Sequence, residues 1–318
     1  MNTIDSFDKQ RIIETLKLSL GDNLVKALLS HQVDELMLNP DGKLFVLFKD
    51  GNNEVIDNFD NNRAQVIVRT VASLNLKDIP LDSPIIDGKI DFLKARFSAI
   101  LPPLTKATCF CIRSLHALNL PFEDLIKDSF ISLKQAKSLE DLLIQRKNIL
   151  VCGKTGCGKT SFINSILNKL TSIDEYCRII CIEDTPELEL KCSNSVSLYT
   201  SKSTTMSDLV KATLRLSPDR IVIGEVRSVE ALDMIDALST GHSGGLASIH
   251  AGSVEQCFER LKLLISRNKF APKNIDKMIA LAINAVVILE KSPYRHVKEI
   301  ALVSDYQNGS FIYQKTGI

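Results

Sequence analysis

Residues 1–115 combine helical periodicity with short strand-like runs. Apolar residues recur at helical spacing over residues 10–30 and again over residues 63–74. The remaining apolar or alternating runs predict extended segments at Val33–Asn39, Lys43–Phe48, Glu54–Phe59, Ile90–Leu101 and Thr108–Leu115. Because turn-forming residues occupy positions 39–42 and 50–52, the first three runs are expected to form an antiparallel meander. The pattern predicts a small α+β domain over residues 1–115.

From residue 132 onward, short apolar runs alternate with amphipathic segments. The runs predict strands at Ile149–Cys152, Arg178–Glu183, Arg220–Gly224, Leu246–His250, Ala285–Glu290 and Val297–Val303. The amphipathic segments predict helices at Leu133–Arg146, Lys159–Leu170, Met206–Leu216, Val229–Ser239, Glu255–Ser266 and Asn274–Asn284. This alternation indicates a layered α/β domain over residues 132–318. Residues 116–131 separate the two patterns, and we expect them to act as a linker.

A glycine-rich sequence lies between the first predicted strand and the helix of the α/β domain. It has the spacing G-x-x-x-x-G-K-T and consists of Gly153, Lys154, Thr155, Gly156, Cys157, Gly158, Lys159 and Thr160, followed by Ser161. Because a helix begins there, unpaired N–H groups and the helix dipole can attract phosphate. Lys159 adds a charge for the β- and γ-phosphates, and the Thr160 hydroxyl can hold Mg²⁺. The alternative, a chance glycine-rich turn, is disfavoured by the correct element on each side.

Two predicted strands end in carboxylates. Glu225 follows the strand Arg220–Gly224, and Glu183 ends the strand Arg178–Glu183. Ligands bind at the carboxyl edge of open α/β sheets, and nucleotide hydrolysis needs a group there that orients water. Glu183 is a candidate for a second role in ordering metal or water, although either glutamate alone could be an ordinary strand-end residue. Glu187 and Glu189 are interpreted as solvated loop charges.

Two histidines flank the strand predicted at 246–250. His242 lies in a glycine-rich loop before the strand, and His250 lies at its end. Neither histidine has an acidic partner at metal-ligand spacing, which disfavours zinc. A structural histidine is the ordinary alternative for both. We interpret His250 as a hydrogen-bonding sensor near the nucleotide.

Composition narrows the class of protein. The chain has 318 residues, of which 45% are hydrophobic and 24% charged, and its net charge of +1 provides no bulk attraction to nucleic acid or membranes. Its 8 cysteines lie mostly in apolar runs without disulfide or zinc spacing, which favours a reducing compartment. Residues 1–8 lack a signal-peptide pattern, and the apolar stretch 278–289 is too short to span a bilayer. These features predict a cytoplasmic protein.

Four ordered sequence blocks resemble the secretion traffic ATPases, the superfamily that drives type II and type IV secretion, type IV pili and conjugation. The blocks are Gly153 to Thr160, Ile182-Glu-Asp-Thr-Pro-Glu-Leu188, Pro218-Asp-Arg-Ile-Val-Ile-Gly-Glu-Val-Arg227 and Thr240-Gly-His-Ser-Gly-Gly-Leu-Ala-Ser-Ile-His-Ala251. In that superfamily they are known as Walker A, the Asp box, an atypical Walker B with Glu, and the His box. The domain before them also fits the layout of the superfamily.

The resemblance implies an ATP- and Mg²⁺-dependent hydrolase with a RecA-like P-loop domain preceded by a smaller α+β domain. By position it implies catalytic roles for Lys159, Glu183, Glu225, His242 and His250. It implies metal contacts for Thr160, Glu183 and Glu225, and nucleotide contacts for Gly153–Ser161. Arginines of the first domain, matched here by Arg96 and Arg113, would also reach the phosphates; a surface or core-rim position is their alternative. Two departures are Ser217, where many relatives have arginine, and Cys157 within the P-loop.

The resemblance further implies a homohexameric ring, cytoplasmic and peripherally associated with the inner membrane, whose partners are inner-membrane components of a secretion machine. The spacing between His242 and His250, the short chain and the missing cysteine-rich zinc insert favour the type IV secretion and conjugation branch. A type IV pilus or type II secretion motor is the alternative. A nucleic-acid motor with a RecA-like core is less favoured because no basic, aromatic-rich stripe is present, and we expect no sequence-specific nucleic-acid binding. A non-catalytic nucleotide-binding scaffold is disfavoured by Lys159, Thr160, Glu183 and Glu225.

Overall fold

The fold is known from a computed structural model. The structure describes residues 6–30, 32–48, 52–115, 119–201 and 203–316. The chain divides into two compact units, Met1–His116 and Ala117–Ile318. Most of the turn predicted at 50–52, and the first residues of the predicted linker, 116–118, lie outside the described residues. Within the described residues, no helix has the length and apolar character needed to cross a membrane.

The first unit packs helices against an antiparallel sheet. Its helices are α1 Ser6–Leu20, α2 Asp22–Leu29 and α3 Asn61–Leu74; its strands are β1 Val33–Leu38, β2 Leu44–Phe48, β3 Asn53–Ile56, β4 Ile85–Ile90, β5 Ala95–Ile100 and β6 Cys109–Ser114. In its described part the strand order is β3-β2-β1-β6-β5-β4, and neighbouring strands are antiparallel. Alternate residues of β5 are buried, so one sheet face joins the core and the other is exposed.

The segment predicted to be extended from Ile90 to Leu101 contains a chain reversal. Residues Asp91–Leu93 form a short 3₁₀ turn, and Lys94 has a φ of 44° in the left-handed region. The reversal lets β4 and β5 pair as a hairpin. The sequence prediction missed most of β4 because Asp87 and Gly88 interrupt its apolar pattern.

The second unit contains a larger sheet between two layers of helices. Its helices are α4 Phe122–Lys127, α5 Leu133–Ile144, α6 Lys159–Ile173, α7 Met206–Thr213, α8 Glu230–Ser239, α9 Val254–Ser266 and α10 Ile275–Ala282; its strands are β7 Ile149–Gly153, β8 Ile179–Glu183, β9 Ser195–Tyr199, β10 Arg220–Ile223, β11 Leu246–Ile249, β12 Ala285–Glu290, β13 His296–Gln307 and β14 Ser310–Thr316. The strand order is β14-β13-β12-β7-β11-β10-β8-β9. From β12 to β9 all neighbours are parallel, and β13 and β14 extend the sheet antiparallel.

Side chains from both faces of this sheet enter separate cores. Helices α7 to α10 cover one face with residues such as Val210 and Phe258, and α4 to α6 cover the other with residues such as Phe122 and Phe162. Because both faces are covered, β7, β8, β10 and β11 are buried along their whole length. The predicted α/β architecture with a RecA-like core is confirmed, and the carboxyl ends of the parallel strands meet at one edge.

The segment expected to be a linker belongs to the second unit over its described part. Phe122, Leu125 and Ile131 are buried in the core that α4 to α6 form on the sheet. Residues 119–131 are therefore packed as part of that unit and are not a free connection. Their sequence shows no clear helical period because the helix α4 is too short to display one.

Two strands of the second unit were missed in the sequence. β14 follows a tight hairpin in which Asn308 and Gly309 have φ of 51° and 82°, and Gln307 faces Ser310. An Asn-Gly pair is a strong hairpin signal, so the sequence did carry the information. β9 is a half-exposed edge strand whose serines mask its apolar pattern.

Candidate nucleotide site

The P-loop, Gly153–Ser161, connects the buried strand β7 to helix α6. Gly156 and Gly158 have φ of 74° and 96°, a region that other residues rarely adopt. A Cβ on Gly153 would lie 2.3 Å from Cys157 Sγ and 3.0 Å from the Leu289 carbonyl oxygen. The glycines are therefore required by conformation and by space, as expected for a backbone that cradles phosphate.

Lys159 reaches back across this loop. Its Nζ donates to the Gly153 carbonyl oxygen over 2.9 Å and lies 3.4 Å from His250 Nδ1. His250 follows β11, which neighbours β7 in the sheet. The lysine ammonium is thus held between the P-loop and the neighbouring strand end.

His250 lies between Lys159 and Glu225. Its Nε2 is 2.7 Å from Glu225 Oε1, although the two atoms are not aligned for a hydrogen bond. Burial and the neighbouring Lys159 charge lower the pKa of His250, and Glu225 opposes them. Because the ammonium can only donate, Nδ1 is the acceptor and the neutral ring carries its proton on Nε2, facing the carboxylate.

Arg227 holds the second oxygen of Glu225. Its Nε donates to Glu225 Oε2 over 2.8 Å, its Nη2 also contacts that oxygen, and its Nη1 lies 3.6 Å from Asp184 Oδ2. No role was predicted for Arg227, although it stands only two residues after Glu225 in the same sequence block.

Glu183 is a buried carboxyl with one satisfied oxygen. It is 3% exposed; Oε1 accepts the backbone N–H groups of Glu187 and Leu188, and Oε2 has no hydrogen-bond partner. Burial raises the pKa of Glu183 to about 7, and the two N–H donors oppose the rise. A carboxyl that titrates near neutral pH can change its protonation when a ligand binds.

Those hydrogen bonds fold the loop after β8 back towards the P-loop. As a result, Glu187 Oε2 accepts the Thr160 hydroxyl over 3.1 Å. The interpretation of Glu187 as a solvated loop charge was therefore wrong. Only the folded loop brings it to Thr160, and no sequence spacing indicated this contact. Glu189 remains exposed, with Oε2 accepting the Asn119 side-chain amide over 2.8 Å.

Oxygen donors at Thr160 and in the loop that begins at Glu183 suit Mg²⁺. The Thr160 hydroxyl, the Glu187 carboxylate and the unpartnered Oε2 of Glu183 are all hard oxygen donors, the kind that Mg²⁺ prefers. Across the described parts of the chain, no group of three or more His, Cys, Asp or Glu side chains could hold a metal. The residues fit an ion that takes most of its ligands from phosphate and water.

The structure separates the predicted site residues into three places. Lys159, Thr160, Glu183, Glu225 and His250 lie at the carboxyl edge of the second sheet. His242 precedes β11 and therefore lies towards the opposite edge, with Nδ1 buried and unpartnered. Arg96 and Arg113 belong to the first unit, where they face each other across β5 and β6 on the exposed face of the sheet. Arg113 Nε also lies 3.3 Å from Glu35 Oε1.

The sequence matches a known protein family over most of its length. The model for the family described as type II/IV secretion system protein matches residues 64–316. The chain belongs to this family. It is 32% identical over 302 residues to the probable conjugal transfer protein TrbB of Sinorhizobium fredii, covering 95% of this chain and 92% of that protein. It is 31% identical over 210 residues to the type IV secretion system protein VirB11 of Brucella suis, covering 59% of this chain and 56% of that protein.

Solved structures are similar to this member of the type II/IV secretion family in fold. The pilus retraction motor PilT with bound ADP has a TM-score of 0.63 and 19% identity, covering 92% of this chain and 83% of that one. The ATPase DotB of Legionella pneumophila has a TM-score of 0.59 and 18% identity, covering 95% and 82%. Family membership and the P-loop together make this chain an ATP-hydrolysing enzyme related to the secretion-system ATPases.

Proposed function

We propose that this ATPase powers substrate transfer or pilus assembly by a type IV secretion or conjugation machine. The relatives that support this branch include TrbB, a conjugal transfer protein that matches nearly the whole chain. The proposed catalytic mechanism is supported by one feature of the site, the series of contacts from Lys159 through His250 to Glu225. It joins a phosphate-binding cation to a carboxylate at the carboxyl edge of the sheet, where a γ-phosphate and its attacking water would meet.

In this proposal the chain's own residues divide the work. The backbone of Gly153–Ser161 binds the phosphates, and Lys159 neutralises charge between the β- and γ-phosphates. Glu225 orients and polarises the attacking water, and neutral His250 positions the carboxylate relative to Lys159. Thr160, Glu187 and Glu183 would hold Mg²⁺, which supplies charge neutralisation on the phosphates when bound.

Glu225 must exchange a partner before it can act. Arg227 holds its Oε2 with two N–H groups, and this charge-assisted pair occupies an oxygen that would otherwise be open to the attacking water. We therefore expect nucleotide binding to weaken the Arg227 contact. Asp184, 3.6 Å from Arg227 Nη1, is the carboxylate available to receive the arginine.

The proposal includes assembly into a homohexameric ring at the cytoplasmic face of the inner membrane, with membrane components of the machine as partners. It also includes phosphate contacts from Arg96 and Arg113, which are supported by their exposed, adjacent positions. Arginines supplied across a domain or subunit gap would complete the charge clamp only on closure.

The test is steady-state ATP hydrolysis against protein concentration, for the wild type and Glu225→Gln. We expect the rate per subunit to rise as the ring assembles and to be lost in Glu225→Gln, which should still bind ATP. A flat rate per subunit at concentrations where sizing shows monomers would contradict the ring and the roles of Arg96 and Arg113. Stimulation by DNA with a steep salt dependence would instead favour a nucleic-acid motor.

A further inference from the structure

The connection between β12 and β13 lies beside the P-loop. β12 pairs in parallel with β7, and Leu289 stands opposite Gly153 at the point where the P-loop begins. The residues that follow, 291–295, turn the chain into β13; we call them the hairpin tip. Because the strands run side by side, the hairpin tip leaves the sheet at the same edge as the P-loop.

Two cationic side chains of the hairpin tip lie close to the P-loop, and one of them is hydrogen-bonded to it. Arg295 Nε donates to the Gly156 carbonyl oxygen over 3.1 Å, and its Cδ is 4.0 Å from where a Cβ on Gly158 would lie. Lys291 Nζ is 3.9 Å from the corresponding position on Gly156. Neither residue belongs to the four sequence blocks, and their distance along the chain from Gly158 hid them from spacing arguments.

Buried contacts fix the hairpin tip in place. The Val297 N–H, at the base of the hairpin, donates to the Phe130 carbonyl oxygen over 2.7 Å. The Phe130 ring stacks on Phe162 of α6 at 5.7 Å between centroids and lies 3.7 Å from the Cβ position of Gly158. The P-loop and the base of the hairpin are thus attached to one core, so the hairpin tip stays beside the loop before a ligand arrives.

The sheet order determines which end of a nucleotide the hairpin tip would meet. β12 lies on one side of β7, and β11 and β10 lie on the other. His250 and Glu225 follow β11 and β10, so the groups that would face the γ-phosphate are on that second side. A nucleotide bound with its γ-phosphate towards Glu225 has its α-phosphate and nucleoside on the side of the hairpin tip.

We propose that the hairpin tip is a nucleotide-binding element for the α-phosphate and nucleoside end of ATP. In this role Lys291 supplies a positive charge, and Arg295 supplies a charge while holding the P-loop through Gly156. The proposal rests on the nucleotide site proposed above for Gly153–Ser161. ATP and ADP have the same α-phosphate and nucleoside, so the contacts should strengthen the binding of both nucleotides equally. They should therefore stabilise the bound nucleotide without adding any stabilisation that is specific to the transition state.

The experiment is calorimetric titration of the full-length chain with ADP and with a non-hydrolysable ATP analogue, each with Mg²⁺. For Lys291→Met and Arg295→Met we expect the Kd of both ligands to rise by the same factor, about tenfold, because each variant loses a charge-assisted contact. Arg295→Lys keeps the charge and should recover part of the loss. Lys298→Met is the matched control, because it removes a charge from the same hairpin that is already paired with Glu290.

Each result decides the proposal. Weakening of the ATP analogue alone would place the cations at the γ-phosphate and overturn it, as would unchanged binding of both ligands. Lys159→Met distinguishes a failure of the hairpin-tip proposal from a failure of the nucleotide site at the P-loop. If Lys159→Met loses nucleotide binding while the hairpin-tip variants bind normally, only the hairpin-tip proposal fails. If Lys159→Met also binds normally, the nucleotide site itself fails. Thermal melting without nucleotide identifies any variant that does not fold, in which case the other hairpin-tip variant gives the answer.

Discussion

Replacing Glu183 by Gln should change how the stability of the second unit depends on pH. The carboxyl is 3% exposed, and burial raises its pKa from the ordinary 4.5 to about 7. Each pH unit of such a rise corresponds to about 1.4 kcal/mol of preference for the protonated form, so the whole rise corresponds to ~3 kcal/mol. That free energy is a large fraction of the total stability of a typical domain.

The sign of the change in stability with pH follows from which state, folded or unfolded, binds the proton of Glu183. Between pH 4.5 and about 7 the folded protein keeps a proton on Glu183 that the unfolded chain has released. The stabilisation is therefore complete below pH 4.5 and is lost as the pH rises through about 7. Glutamine does not titrate, so the stability of the Glu183→Gln variant should not fall over this pH range for this reason. Any cost of placing the amide next to the site is the same at every pH.

The assay is urea unfolding of the nucleotide-free chain at pH 5 and pH 8, followed through the transition of the second unit. Relative to Glu183→Gln, the wild type should lose about 2–3 kcal/mol of unfolding free energy between the two pH values. Glu189→Gln, at an exposed glutamate of the same loop, is the control for removing a negative charge. An equal stability difference between wild type and Glu183→Gln at both pH values would refute the argument from burial.

Three further predictions follow from contacts in the second unit. His250→Ala should lower kcat at least about tenfold and leave the Kd of ADP unchanged, because the ring contacts Glu225 and Lys159 and would act after nucleotide binding. A change in the Kd of ADP with kcat unchanged would contradict this. Asn148→Asp should destabilise the unit by ~3 kcal/mol in urea, because the buried amide donates to two backbone carbonyls that would then face a carboxylate; a cost below about 1 kcal/mol would argue against it. Cys157→Ala should retain ATPase activity. In the wild type, the Cys157 thiol should react slowly with a maleimide, because burial raises its pKa and leaves the residue only 1% exposed. Rapid labelling of Cys157 in the folded protein would contradict this.

Local sequence signals predicted most elements because each carries its own period or boundary. The buried strands β7, β8, β10 and β11 are continuous apolar runs, and the helices between them have clear amphipathic spacing. The missed strands β4, β9 and β14 are short or half-exposed, and polar residues interrupt their patterns. These strands are stabilised by pairing with a neighbouring strand, and a local sequence pattern carries no information about that pairing.

The site could be predicted only as far as its residues lie in recognisable blocks. Lys159, Thr160, Glu183, Glu225 and His250 were found because each follows a buried strand or begins a helix at the carboxyl edge. Their grouping follows from parallel pairing, since strand ends with one direction meet at one edge. His242 shares a block with His250, yet a whole strand separates them and directs them to different edges.

The sequence by itself determined the class of fold, the glycine-rich loop between β7 and α6, and the carboxylates at the ends of β8 and β10, because strand–loop–helix patterns and residue chemistry are local properties. The tertiary structure alone decided which distant residues join them. Glu187 reaches Thr160 because two hydrogen bonds to Glu183 fold its loop, and Arg295 reaches Gly156 because β12 pairs with β7. Such contacts depend on strand order and loop closure, which link positions far apart in the chain and leave no periodic signal in it.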